Sequence, residues 1–139
     1  MEKTENYGLN QWAEQDKVLR EDFNADNQKI DAALAAGAKI AIGSYVGTGT
    51  SGMDNPNSLT FEFAPKMVLI ACQEATYQED FMLIMYGQIY CHSFGVSGAD
   101  GRCNLYWSDD GMTVSWYNSY GEYAQMNANK KTFCYCAIG

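Results

Sequence analysis

The chain has 139 residues, 47% of them hydrophobic and 14% aromatic, with two prolines and a formal net charge of −8. Acidic residues are spread evenly: eight against four basic from Met1 to Leu34, and nine against five in the remainder. This argues against a nucleic-acid partner, which needs clustered Lys and Arg to neutralise phosphates. No run approaches the roughly 20 apolar residues of a bilayer span, so no membrane insertion is expected.

The opening Met1-Glu-Lys-Thr-Glu-Asn6 lacks the basic-then-apolar order of an export signal, so synthesis and use without such export are expected. The five cysteines, Cys72, Cys91, Cys103, Cys134 and Cys136, are odd in number and read as reduced, mostly buried thiols. Cys134-Tyr-Cys136 has no second matching pair and His92 is the only histidine, so neither a metal site nor a cofactor is expected.

From Asn10 to Ala36 the pattern predicts one helical stripe. Asn10 stands as N-cap, Trp12 in the first turn and Glu14 near the positive helix end. Trp12, Leu19, Phe23, Ile30 and Leu34 are separated by multiples of three and four and share a face. Asp22-Phe23-Asn24 is a candidate break, and Gly37 a candidate C′ glycine. A lone amphipathic helix must bury its stripe on its own β unit or against copies of itself. The near-heptad spacing of Phe23 and Ile30 favours copies, with Asp26 and Asn27 either fixing register or solvated.

After Lys39 the period changes from helical to alternating. Ile40, Ile42 and Tyr45 begin a strand, and a glycine-rich loop runs from Gly47 to Pro56. Leu59, Phe61 and Phe63 alternate as a half-buried strand, and Pro65-Lys66 is a turn. Met67–Cys72 and Phe81–Tyr86 are continuous apolar runs, read as strands buried on both faces. Gly87 to Phe94 follows, then a loop from Gly95 to Arg102. Cys103–Trp107 and Met112–Tyr117 flank Asp109-Asp110-Gly111, a strong hairpin signal. Tyr120–Met126 reads as a short edge strand. Thr132–Ile138 closes the chain, with Phe133, Tyr135 and Ala137 on one face and Cys134, Cys136 and Ile138 on the other. The fold class is mainly β: a helical segment over 1–38, then a small antiparallel sandwich or barrel over 39–139.

Catalytic signals are weak. The Gly47–Gly52 loop lacks the Lys-Ser/Thr ending and following helix of a phosphate loop. His92 has no recognisable nucleophile partner, and its neighbour Cys91 points to the opposite face of a strand. Asp109-Asp110 offers two carboxyls of the kind glycoside cleavage uses, but Asp is common in such turns for backbone reasons. No enzymatic activity is expected.

Asn6-Tyr-Gly-Leu-Asn-Gln-Trp12 and Asp22-Phe-Asn-Ala-Asp-Asn-Gln-Lys-Ile-Asp-Ala-Ala-Leu34 resemble the N-terminal segment of tail-fibre and receptor-binding proteins from phages and prophages of Gram-positive gut bacteria. Ile42-Gly-Ser-Tyr-Val-Gly-Thr-Gly49, Phe63-Ala-Pro-Lys-Met-Val-Leu-Ile70 and Tyr135-Cys-Ala-Ile-Gly139 are similar to the C-terminal β domain of such fibres. The similarity spans most of the chain and weakens between Glu74 and Tyr123. It implies a homotrimer held by a helical bundle, with Leu19, Phe23, Asn27, Ile30 and Leu34 at the trimer interface. Tyr7, Leu9 and Trp12 would contact the virion, at the tail, the baseplate or the head. The β domain would meet a host cell-surface glycan or protein. A virion decoration component without receptor binding is the alternative, and a cell-wall glycan enzyme a minor one.

The aromatics of the weaker-matching stretch exceed what one small core needs, and amphipathic rings at a surface are recognition material. Tyr90, Tyr106, Trp107, Tyr117, Asn118, Tyr120 and Tyr123 are the candidate receptor-binding residues. Trp107, Trp116 and Tyr106 are equally candidates for the core.

Overall fold

The computed structural model describes residues 1–74, 81–94 and 101–139. The chain divides into two compact units, Met1–Ala38 and Lys39–Gly139.

In the first unit the helix begins ten residues later than the stripe suggested. Strands β1 (Glu2–Lys3) and β2 (Asn10–Gln11) pair antiparallel and precede helix α1 (Arg20–Ala35). The turn between the strands is closed by Thr4, whose hydroxyl accepts the Leu9 N–H at 2.8 Å and whose carbonyl accepts the Gly8 N–H at 3.0 Å. Gly8 has a φ of 61° there. Asn10 is therefore not an N-cap; its backbone N–H donates to Asp26 Oδ2 at 2.8 Å. Helix formation fails before Arg20 because Asp16 takes the Ala13 N–H on its own carboxylate at 2.8 Å, a local bond that competes with the helical ladder. Asp22-Phe23-Asn24, the expected break, lies inside the helix, where Glu21 and Asp22 suit the positive end of the dipole. Gly37 does follow the C-cap, Ala36. Among the described residues α1 is the one α-helix, so no helical bundle forms within them. The only helical residue that is buried is Asp26, which also meets Lys29 at 3.4 Å, while Lys29 donates to the Gly8 carbonyl at 2.5 Å.

In the second unit eight strands form one curled antiparallel sheet. They are β3 (Ile40–Val46), β4 (Asn57–Thr60), β5 (Met67–Cys72), β6 (Phe81–Met85), β7 (Tyr90–Phe94), β8 (Arg102–Trp107), β9 (Thr113–Tyr117) and β10 (Thr132–Ile138). Their order is β3-β10-β5-β6-β7-β8-β9-β4. Gly87 and Gly111, both at positive φ, turn the hairpins where the sequence placed them. The half-buried strand ends at Thr60, ahead of Phe61 and Phe63. The chain's closing strand, β10, is internal, between β3 and β5. The loop expected from Gly95 falls mostly on 95–100, outside the described residues.

The curl is evident from the inner face. Tyr45 on β3 meets Trp116 on β9 edge-on with centroids 6.3 Å apart, although these strands lie near opposite ends of the order. Trp116, Phe133, Ile70, Met82, Ile84 and Val68 are fully buried in the enclosed core. Gly43 permits this packing, since a Cβ there would lie 2.3 Å from the Tyr135 hydroxyl.

The two open edges, β3 and β4, do not pair. They are bridged by the segment expected as an edge strand, which is instead a buried turn at Ala124–Ala128. Gln125 Oε1 accepts the backbone N–H groups of Gly52 (3.0 Å) and Asn118 (2.9 Å). Its Nε2 donates to the Asn55 carbonyl (2.7 Å) and Asn57 Oδ1 (3.0 Å). Its own carbonyl accepts the Trp116 indole N–H at 2.8 Å. Asn127 does the same on the β3 side, receiving the Thr48 N–H and donating to the Thr50 carbonyl. Side-chain amides thus replace the missing ladder, which alternation in a sequence does not reveal.

The outer surface has two halves. Across β3, β10, β5 and β6 the register lines up Ile42, Cys136, Leu69 and Leu83 in one row and Ile40, Ile138, Met67 and Met85 in the next. These outward residues are partly or well exposed in the single chain, so β5 and β6 are buried on one face, not on both as expected. Across β7, β8, β9 and β4 the outward residues are tyrosines, hydroxyls, Asn, His and Arg, apart from Phe94 at the margin.

Gln125→Leu keeps the side-chain volume but strands several buried partners at about 1–3 kcal/mol per unsatisfied group. Denaturant unfolding is expected to lose about 3 kcal/mol or more, and a loss below 1 kcal/mol contradicts the bracing role. In the first unit, burial pushes the Asp26 carboxyl up, but the Asn10 N–H and the Lys29 ammonium outweigh it and hold it below the ordinary 3.8. A depressed carboxyl contributes stability that is complete above its unfolded value and lost as pH falls through the folded one. The helical far-ultraviolet signal is therefore expected to weaken on acidification below 3.8, and Asp26→Asn to lower it at neutral pH and to flatten that dependence.

Candidate functional site

Three adjacent strands present the polar half of the sheet. Alternation along β7, β8 and β9 sends Cys91, Cys103, Leu105, Val114 and Trp116 inward, and so sends Tyr90, Arg102, Asn104, Tyr106 and Tyr117 outward. Register then gathers them: Tyr90 stands opposite Asn104, and Asn104 opposite Tyr117. The Arg102 guanidinium carbon lies 3.9 Å from the centroid of the Tyr90 ring, a cation–π contact that holds the cation over the ring. Tyr106 and Tyr117, diagonal neighbours, stack with centroids 5.9 Å apart and planes 14° apart. Their hydroxyls are 3.5 Å apart. That shared bond, together with partial desolvation and the neighbouring phenols of Tyr106 and Tyr90, raises the Tyr117 hydroxyl above its ordinary value.

Beside the tyrosines lies a cleft of about 290 Å³ lined by Arg102, Asn104, Ser119 and Tyr120. Asn118 corrects one expectation: it is fully buried and does not line this cleft. Its amide donates to the Arg102 carbonyl at 2.9 Å, and its carbonyl oxygen accepts the N–H groups of Tyr120 (2.7 Å) and Gly121 (3.1 Å). Asn118 is thus a positioning residue that ties the β9 exit to the start of β8. Flat ring faces beside a planar cation and amide donors make a surface suited to stacking on a sugar ring and hydrogen-bonding its hydroxyls or an attached anion.

Compared with models of known protein families, with curated proteins and with solved structures, the chain finds no significant match.

The remaining expected receptor-binding residues separate. Tyr120 is 71% and Tyr123 60% exposed. Trp107 points inward, packs against the core and donates its indole N–H to the Gln88 carbonyl at 3.2 Å, so it belongs to the scaffold. Trp116 is core, whereas Tyr106, also a core candidate, is 54% exposed. Arg102, Asn104 and Ser119 were missed. They carry no signature along the chain, and only the pairing of β8 with β7 and β9 brings them to the rings.

A second cleft, about 340 Å³, opens between the unpaired edges and is lined by Tyr45, Thr48, Asn57, Trp116 and Asn127 among others. Most of its polar atoms are engaged in bracing the edges, and burial pushes the Tyr45 hydroxyl up. Of the turn carboxylates, Asp110 accepts from the Ser108 hydroxyl at 2.5 Å and the Met112 N–H at 2.9 Å, bonds that lower its pKa. That is the arrangement of a turn residue rather than of a proton donor. The Cys103 thiol and burial together push the Cys91 thiol up, as fits an inert core position. Among the described residues, no three of His, Cys, Asp and Glu converge on one point, and no helix is long and apolar enough to cross a membrane.

In the first unit Leu19 at the N-cap and Phe23, Ile30 and Leu34 along α1 are exposed, and Asn27 is exposed with them. Asp26, a candidate for register, is occupied within its own unit by Asn10 and Lys29. Tyr7 is exposed in the β1–β2 turn, with Leu9 and Trp12 half-buried.

In an alkaline titration followed by phenolate absorbance, Tyr117 is expected to ionise above the ordinary value of about 10. Tyr106→Phe is expected to bring it back. An unchanged titration curve contradicts the pairing.

Proposed function

We propose that this chain is a short, self-associating attachment protein of a bacteriophage particle, whose β unit touches the host cell surface. The observation that carries the reading is the exposed face of Tyr90, Arg102, Tyr106 and Tyr117 on three rigid strands, with the Arg102–Tyr120 cleft beside it. A site built on strands holds its ring geometry without paying ordering entropy on binding. The ligand class is a glycan of a Gram-positive wall, contacted by Tyr90, Tyr106, Tyr117, Tyr120 and Tyr123. Affinity at one site is modest, and three copies on one particle gain avidity through effective concentration. The first unit mounts the assembly, with Tyr7, Leu9 and Trp12 against a virion protein. The exposed stripe of Leu19, Phe23, Ile30 and Leu34 supports contact between copies. The resemblance to tail-fibre proteins supports the phage setting.

The second reading is a virion decoration component that recognises no host. It is favoured by the extent of uncharged outer surface on β3, β10, β5 and β6, which serves assembly rather than recognition.

Labelled protein incubated with Gram-positive gut isolates or their purified wall polymer separates the two. Binding is expected, and Tyr106→Ala or Arg102→Ala is expected to weaken it about 10-fold or more, the loss typical of an interface anchor. Tyr86→Ala, outside the face, serves as control. Absence of binding to every wall polymer supports the decoration reading, and binding unaffected by either substitution removes this face as the site.

A further inference from the structure

We infer that the outer face of β3, β10, β5 and β6 is an interface between copies of this chain. None of the outward side chains on these four strands is charged. An antiparallel sheet with one wet face normally alternates apolar with polar residues; here β5 and β6 are apolar at every position. Ile42 is 79% exposed, Ile40 61%, Leu69 39% and Leu83 37%. Taking about 200 Å² for a large side chain in the open, Ile40, Ile42, Leu69, Phe81, Leu83 and Met85 present roughly 500 Å². Phe94 and the partly covered Met67, Cys136 and Ile138 extend the patch toward the ~800 Å² per partner of a standard interface.

Charge selects a copy as the occupant. Each chain carries −8 in all, so two copies repel across most approaches. They meet with the least of that penalty where neither presents a charge. A second copy also supplies the matching apolar face by symmetry, which an unrelated partner would have to supply independently. The inference goes beyond the recognition reading and does not rest on it: the two faces lie on different strands, and Tyr106→Ala must leave the assembly intact.

The test is sedimentation of the full chain at micromolar concentration, with maleimide labelling of Cys134, an exposed thiol on the same face. The native chain is expected to sediment as two or more copies of 15.5 kDa and to label slowly. Leu69→Lys with Leu83→Lys is expected to give a single-chain mass with an unchanged β spectrum. Cys134 is then expected to react at least about 10-fold faster once uncovered. If the lysine pair fails to fold, Leu69→Ser with Leu83→Ser is read on the same two measures. A native chain that sediments as one copy overturns the proposal. So does an assembly that survives the sheet substitutions but is dissociated by Phe23→Glu with Ile30→Glu, which leaves association to the helices and the recognition reading intact.

Discussion

One buried amide holds the β unit in its working shape. A curled sheet of eight strands leaves two edges without ladder partners, and an unpaired edge is a row of unsatisfied donors and acceptors. Gln125 braces the gap between the two edges with four hydrogen bonds, two through its oxygen and two through its nitrogen, from inside the core. Two of its partners are Asn57, the first residue of β4, and Asn55 just before it, and a third is Asn118, which reaches on to the start of β8. The positions of Arg102, Tyr117 and Tyr120 therefore depend on a residue that is itself fully buried. Such a network has its effect only when every member is satisfied, because a half-paired polar group in a low-dielectric interior is worse than an apolar one.

The curl also sorts the surface. Strands on one side of the order turn an uncharged face outward, and strands on the other side turn tyrosines, hydroxyls and an arginine outward. The division falls near Phe94, which stacks on Phe81 with centroids 4.5 Å apart and closes the apolar half. On the proposed reading, assembly through one half leaves the other free for attachment, which a single continuous apolar or polar surface would not give.

Much of the β unit was legible along the chain. Alternation located most of the strands, Gly87 and Gly111 located turns, and the two faces of Thr132–Ile138 were assigned as they stand. Two things were not legible. Trp12 and Leu19 fit a helical spacing that carries the stripe back to Asn10, while the local hydrogen bonds of Thr4 and Asp16 favour a hairpin and a turn instead. The buried turn at Ala124–Ala128 was read as an edge strand because its bonds run from side chains to distant backbone, up to 79 residues away in sequence. The site shows the same division: tyrosines announce themselves by type, but Arg102 and Asn104 join them only through strand register. Asn118 was singled out correctly as special and wrongly as exposed, since a loop asparagine reads the same whether it meets solvent or caps a turn.

The proposed division of the sheet into a recognising half and an assembling half is tested most directly by amide hydrogen exchange on the full chain, with and without purified Gram-positive wall polymer. Slowing is expected in peptides covering Arg102–Tyr106 and Tyr117–Gly121 when the polymer is added, with Met67–Cys72 already protected and unchanged. Polymer-dependent protection over Met67–Cys72, with none over Arg102–Tyr106, would contradict it.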